Sequence, residues 1–348
     1  MSKTDIKSLN LNELKELMEK LGQKPFRAKQ IYEWLHVKLA DDFSDMTNLP
    51  IALRKQLEEI CEITRLTVVD RLVSEDGETS KFLFRLKDSR VLESVLMKYH
   101  HGNSVCISSQ VGCKMGCKFC ASTIGGFERN LTASEMLDQV YQIQKITGER
   151  VSNVVVMGTG EPLDNYDNLI KFIHMLTDEN GLNISQRNIT VSTCGLVEKI
   201  KALAHEKLQI TLALSLHAPN DAIRKTLMPI ANQYDIDSAM DACVYYYKVT
   251  GRRITFEYSL IEGVNDLPEH ADELANRLKG LNCHVNLIPV NPIRERDYRQ
   301  SDAKNIQIFK NVLENYRINV TIRREMGSDI NAACGQLRKS YMENMSNN

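Results

Sequence analysis

Three cysteines stand in the run Gly112-Cys113-Lys114-Met115-Gly116-Cys117-Lys118-Phe119-Cys120, with the spacing C-x3-C-x2-C. Three thiolates this close on one loop can wrap one corner of a cubane iron–sulphur cluster and leave the fourth iron without a cysteine. An open iron is a coordination site, so such a cluster can bind a substrate as well as carry electrons. Structural zinc is the competing reading. A tetrahedral zinc site closes with four ligands, and Cys106, upstream of the loop, could be the fourth. Spacing alone leaves both open.

Composition narrows the setting. The chain has 348 residues, 43% of them hydrophobic, enough for one large domain plus a smaller one. No apolar run approaches a membrane span and no signal peptide is visible, so no membrane partner is expected. Nine cysteines are an odd number, and the tight group of three does not suit a disulphide framework. A cytoplasmic, reducing location is expected. The formal net charge of −1 gives no support for nucleic-acid binding, so any basic surface must be local.

The elements that must position these residues are legible in the patterning. Residues 10–60 read as helical. Asn10 with Glu13 forms a capping-box signature, and Leu11, Leu14, Met18 and Leu21 repeat at helical spacing. A second helix is expected over Phe26–Leu35 and a third after Pro50. From Leu66 the pattern changes to short strands at Thr67–Val69, Lys81–Leu86 and Val91–Tyr99, with turns at Asp76-Gly77 and Asp88-Ser89. Beyond Val105, apolar runs alternate with amphipathic helices. Strands are expected at Val105–Ser108, Val154–Met157, Ile189–Val191, Ile210–Leu214, Ile254–Tyr258 and Val285–Ile288, with a seventh candidate at Ile318–Ile322. Their separations fit β-α units of a parallel sheet, which can close into a full or partial barrel.

In such barrels chemistry gathers at the C-terminal ends of the strands. The cysteine loop follows the first strand, and Gly158-Thr159-Gly160-Glu161-Pro162 the second. Ser192-Thr193-Cys194-Gly195 follows the third, Ser215-Leu216-His217 the fourth, and Asn291-Pro292 the sixth. Each alone is a weak signal. Glycine and proline punctuate most loops, His217 alone reads as a satisfied loop histidine, and Ser192 could cap a helix. Their joint placement carries the argument.

Longer runs add a resemblance. Ile107-Ser108-Ser109-Gln110-Val111-Gly112 leads into the cysteine loop, and Lys118-Phe119-Cys120-Ala121-Ser122-Thr123 leaves it. Met157-Gly158-Thr159-Gly160-Glu161-Pro162-Leu163-Asp164-Asn165-Tyr166 follows, and Thr321 to Arg338 is the most specific match. Over nearly its whole length the chain resembles the RlmN/Cfr family of radical S-adenosylmethionine (SAM) RNA adenosine methyltransferases. Thr159 departs from the methionine expected in many relatives. The resemblance implies an α/β fold, a partial (β/α)6 TIM-like barrel with an N-terminal helical domain and a small β element. The expected division is residues 1–65, helical and RNA-binding-like; 66–101, the β element; 102–325, the barrel; and 326–348, the C-terminal loop and tail.

Carried over residue by residue, the resemblance implies that Cys113, Cys117 and Cys120 hold a four-iron, four-sulphur cluster. Gly160, Glu161, Ser192, Ser215, Leu216, His217 and Asn291 match SAM-contacting positions. Cys334 matches a cysteine methylated by a first SAM. A second SAM, cleaved by one electron, yields a radical that takes hydrogen from the methyl group, and the methylene radical adds to adenine C2. Two SAM are consumed per turnover. Cys106 matches the cysteine that helps to remove the C2 proton and releases the adduct through a transient disulphide with Cys334. Glu93 matches a proton acceptor. Cys61, Cys194, Cys243 and Cys283 match no role and read as structural. Adenine C2 is electron-poor and suits radical addition, not ordinary electrophilic methylation, so a cluster makes sense.

The expected substrates are adenosine 2503 of 23S ribosomal RNA and adenosine 37 of some transfer RNAs. An electron donor such as flavodoxin and a monomeric state are expected. Arg294, Arg296, Arg299, Arg323, Arg324, Arg338 and Lys339, with Lys24, Arg27 and Lys29, are candidate phosphate contacts. The target adenine must leave its stack to reach a buried cluster, which favours recognition by RNA shape. Two rivals remain. A Cfr-type sister enzyme methylates adenine C8, though Pro162, Asn165-Tyr166 and Thr193-Cys194-Gly195 look more like the C2 enzyme. A zinc-stabilised RNA-binding module without catalysis is the rival of another class.

Overall fold

The computed structural model describes residues 3–293, 295–324, 326–332 and 336. At the N-terminus, β1 (Thr4–Asp5) pairs in parallel with β2 (Cys61–Glu62). Between them lie α1 (Leu11–Lys20), α2 (Phe26–His36) and α3 (Ile51–Ile60). The α1 start is a capping box. Asn10 Oδ1 accepts from Glu13 N at 3.0 Å, and Glu13 Oε2 accepts from Asn10 N at 2.7 Å, pairing two donors that the helix itself leaves unmet. Leu14 and Met18 are fully buried, with Leu11 and Leu21 packed against the same core.

The main sheet has ten strands. Its antiparallel part is β3 (Thr67–Val73), β4 (Thr79–Arg85), β5 (Val91–Tyr99) and β6 (Gly102–Cys106). A separate antiparallel pair follows, β7 (Gln110–Gly112) with β8 (Phe127–Asn130). Next come α4 (Ala133–Thr147), β9 (Val151–Val156), α5 (Tyr166–Thr177), β10 (Ile189–Thr193), α6 (Val197–Ala204) and β11 (Thr211–Ser215). Two helices, α7 (Asp221–Leu227) and α8 (Ile236–Thr250), precede β12 (Ile254–Leu260). The chain continues through α9 (Pro268–Leu278), β13 (Cys283–Pro289), α10 (Ala303–Asn315) and β14 (Asn319–Ile322).

From β6 through β9 to β14 every neighbouring pair is parallel. Six strand–helix units are followed by a seventh parallel strand. The sheet ends at β3 and β14 and does not close on itself, so this is the partial barrel expected of a radical SAM fold. The three strands expected as a small β element are present, but β5 pairs with β6 and joins them edge to edge to the barrel sheet. That pairing covers the β6 edge, which would otherwise invite another strand. It also buries Val91 to Met97 on both faces.

The helical region docks on α4. Lys7 Nζ donates to Asp138 Oδ1 at 2.7 Å with both side chains fully buried, and Asp138 Oδ2 accepts from Leu66 N. His36 Nδ1 meets Tyr141 Oη at 2.9 Å. One hydrophobic core runs through the N-terminal helices and the barrel. Among the described residues no helix is long and apolar enough to cross a membrane.

Candidate active site

The loop after β6 and the strand ends of β9 to β13 surround one cavity of about 950 Å³, with the open solvent at its mouth included. The cysteine loop forms one wall. Its two ends are pinned together by the β7–β8 pair and by Cys113 N donating to Gly126 O at 3.0 Å. Gly112 permits this closure, since its φ is +73° and a Cβ there would stand 1.8 Å from Gly126 O. Inside the loop, Thr123 Oγ1 donates to the carbonyls of Cys117 and Cys120 at 3.1 and 2.9 Å. Lys118 N donates to Leu227 O at 2.8 Å and ties the loop to α7.

Cys113, Cys117 and Cys120 all line the cavity. Met115, Leu227, Met228, Ile261 and Val290 form an apolar shell around the first two. Burial pushes the Cys113 thiol up to about 12 and that of Cys117 well above its ordinary value. A positively charged metal group would be what ionises them. Among the described residues no three His, Cys, Asp or Glu side chains are grouped as ligands of a single ion. A cubane asks for something different, because each cysteine holds a different iron. The donor set and its apolar shell fit the cluster, and Cys113, Cys117 and Cys120 are the residues that would hold it.

The opposite wall is built from the loops after β9, β10 and β11. Ser109 N and Gln110 N both donate to Thr159 O, Gly158 N donates to Ile107 O, and Thr159 N donates to Ser108 Oγ. Thr159 therefore contributes its backbone N–H and carbonyl here, and its hydroxyl stands 3.3 Å from Ser122 Oγ. Glu161 is buried. Its Oε2 accepts from Cys194 N at 2.8 Å and its Oε1 from Leu163 N at 3.0 Å. Burial raises its carboxyl above the ordinary value, against the pull of those donors. Ser192 and Ser215 face each other, their hydroxyls 3.2 Å apart. Ser192 caps no helix, since α6 starts after Leu196 without a side-chain cap.

His217 is a satisfied histidine and also lines the cavity. Its Nδ1 accepts from Ser259 N at 2.9 Å, which leaves the proton of the neutral ring on Nε2. Its φ is +56°, a left-handed conformation that Asn265 Nδ2 secures by donating to His217 O at 2.8 Å. Phe119 of the cysteine loop meets the ring edge-on, with centroids 4.7 Å apart. Burial, then nearby Arg224, lowers the imidazole to about 3.

Of the other expected SAM positions, Gly160, Glu161, Ser192, Ser215 and Asn291 line the cavity. Leu216 puts its side chain into the main core instead, and its N–H donates to Glu257 O. Cys106 does not line the cavity. It lies in a small cluster with Val95, Met97, Met326 and Ala332, against which Met157 also packs. Among the described residues Cys106 is not grouped with the three loop cysteines as ligands of a single metal ion. Glu93 is buried on β5, with Lys81 Nζ 3.6 Å from its carboxylate. Cys334 lies outside the described residues, as do Arg294, Arg338 and Lys339.

Several residues here were not singled out from sequence. Arg224 is fully buried and donates to the carbonyls of Cys194, Leu216 and Tyr234 at 2.7, 3.3 and 3.2 Å. It thereby clamps the loops after β10 and β11. Cys194, read as structural, lies in the cavity wall, whereas Cys61, Cys243 and Cys283 are core residues. Glu257 projects into the cavity from β12. A carboxylate inside the apolar run Ile254-Thr255-Phe256-Glu257-Tyr258 was the available signal. Of the candidate phosphate contacts, Arg323 lines the cavity 3.9 Å from Glu257, and the exposed Arg324 pairs with Glu78 at 3.0 Å. Arg296, Arg299, Lys24 and Lys29 are exposed, and Arg27 is partly buried over the Phe26 ring.

Comparison with known proteins agrees with this geometry. Residues 4–63 match the family described as the ribosomal RNA large subunit methyltransferase N-terminal domain, and residues 107–278 match the radical SAM superfamily. A probable dual-specificity RNA methyltransferase RlmN of Lachnoclostridium phytofermentans is 65% identical over 98% of this chain and 96% of its own. The protein of the same description from Lachnospira eligens is 66% identical over 98% of both chains. The crystal structure of a radical SAM methyltransferase from Sphaerobacter thermophilus superposes with a TM-score of 0.92, at 44% identity, covering 97% of this chain and 99% of that one. With two thirds of its residues shared across almost its full length, the chain belongs to the RlmN family of radical SAM RNA methyltransferases.

Proposed function

We infer that the protein is a SAM-dependent RNA methyltransferase that methylates C2 of adenosine in 23S ribosomal RNA and transfer RNA. The observation that carries this reading is the single cavity in which three cluster-type cysteines face the strand-end loops of a radical SAM barrel. A four-iron cluster and SAM are its cofactors. When bound, they supply one-electron cleavage of the sulphonium to a carbon radical, the reactivity that an electron-poor carbon requires.

The chain's own residues do the rest. Gly160, Glu161, Ser192, Ser215, His217 and Asn291, with the backbone at Leu216, are proposed to hold SAM. Cys334 carries the methyl group to adenine C2, two SAM being used per turnover. Cys106 takes part in removing the C2 proton and frees the product by forming a disulphide with Cys334. Its support is the packing of Cys106 against Ala332, two residues before Cys334. Glu93 is proposed as a proton acceptor in the same neighbourhood. Residues 1–65 serve as the RNA-binding unit and 326–348 as the segment that carries Cys334. The proposed setting is a cytoplasmic monomer reduced by a flavodoxin-type donor.

Two cysteine variants test the roles. Cys334→Ala should keep the cluster absorbance and lose RNA methylation. Cys106→Ala should accumulate a protein–RNA species that migrates slowly on a denaturing gel and maps to Cys334. Parental turnover by Cys106→Ala would overturn its assignment.

A further inference from the structure

Two carboxylates line the cavity, and they are not equivalent. Glu161 gives one oxygen to Cys194 N and the other to Leu163 N. Glu257 Oε1 accepts from Asn286 Nδ2 at 2.9 Å. Its Oε2 is buried and accepts no hydrogen bond among the described residues. The guanidinium of Arg323, at 3.9 Å, is too far to supply one.

Glu257 is also held firmly. Its Cα pairs with Ser215 on β11 and Asn286 on β13, and its carbonyl accepts from Leu216 N and His217 N. Thr321 Oγ1 donates to Asn286 Oδ1 at 2.6 Å and fixes the amide that fixes the carboxylate. A polar ladder thus crosses the barrel wall from β12 to β14 and leaves one buried acceptor oxygen unmet on a residue that lines the cavity. A buried acceptor left unmet is costly, which points to a ligand group that completes it.

The proposed function says what that group must distinguish. SAM is a sulphonium cation, and the thioether left after methyl transfer is neutral at sulphur. Consuming two SAM per turnover requires the first thioether product to leave before the second SAM enters. Burial raises the Glu257 carboxyl above its ordinary value, and Arg323 opposes that rise. The ionised form senses that lost charge strongly, because Coulomb energies rise as the local dielectric falls. We propose that the open oxygen of Glu257 recognises the sulphonium charge, making this residue the determinant by which the cavity prefers SAM to S-adenosylhomocysteine. The inference rests on the SAM-binding reading above and gives Asn286 and Thr321 positioning roles.

Calorimetric titration of cluster-loaded, unreduced protein with SAM and with S-adenosylhomocysteine tests it. The parent should prefer SAM by about tenfold or more. Glu257→Gln keeps the side-chain shape and the acceptor for Asn286, so it should keep the cluster absorbance. It should weaken SAM alone and bring the ratio close to one. Should Glu257→Gln fail to fold, Asn286→Ala reports instead, since it keeps the charge, frees the carboxylate and should lower the ratio. An unchanged ratio, or an equal loss of both ligands, overturns the proposal, the latter because Glu257 would then bind the nucleoside common to both. A parent that prefers SAM beside a Glu257→Gln that also does so sinks this inference alone. A parent that binds neither ligand takes down the functional reading with it.

Discussion

Lys81 stands between Glu93 and the C-terminal segment. Its Nζ lies 3.6 Å from the Glu93 carboxylate and donates to Asn331 O at 3.2 Å, with both charged side chains almost wholly buried. Breaking a buried ion pair by removing one member typically costs about 3–5 kcal/mol. Lys81→Met should therefore lower stability by that order in urea denaturation. The double variant Lys81→Met, Glu93→Gln should lose less than the sum of the two single losses, because the Lys81–Glu93 contact is then removed only once. Additive losses would show that the two groups are not coupled.

Gly160 sets how closely the loop after β9 approaches the exit of β6. Its φ is +110°, and a Cβ there would lie 2.6 Å from Gln110 Cβ and 2.8 Å from Ser109 Oγ. Gly160→Ala should displace the loop that carries Glu161 and weaken SAM binding by about tenfold or more. The helical circular dichroism signal should remain near parental. Parental SAM affinity in this variant would remove the loop from the binding site.

Acid should destabilise the fold through its buried imidazoles. Burial, then nearby Lys7, lowers His36 to about 3, and burial, then Arg224, does the same to His217. In the unfolded chain each titrates near its ordinary value of about 6.5. Between those values the unfolded state binds more protons, so stability rises with pH. Above pH 6.5 the term is complete, and it is lost as pH falls toward 3, by at most about 1.4 kcal/mol per unit for each histidine. The urea midpoint should drop from pH 7 to pH 5, and His36→Gln should show a shallower drop. Equal slopes would mean that His36 is not held neutral.

The parts of this chain that obey a local rule were readable in advance. The capping box at Asn10 and Glu13 and the span of β5 depend on nearby residues alone. The strand cores were found, and their ends moved by a few residues. The first expected strand, Val105–Ser108, is Gly102–Cys106 in the fold. There Gln139 takes up both backbone groups of Ser108, and Ser109 N donates to Thr159 O in the loop after β9, so the ladder ends. The joining of β5 to β6 was not legible, because edge pairing is a tertiary choice. Arg224 was missed for a related reason: its three acceptors are carbonyls, which carry no sequence signature. The recurring Gly, Ser and His residues at strand ends did reveal the cavity, since barrel topology gathers them whatever lies between.

The central claim is that a radical step places a methyl group on adenine C2. RNA carrying deuterium only at adenine C2 should be methylated by the reduced, cluster-loaded protein with SAM, then digested to nucleosides and analysed by mass spectrometry. The account predicts 2-methyladenosine that has lost the label. A product methylated at C8 with the C2 label retained would contradict it and assign the cavity to the sister chemistry.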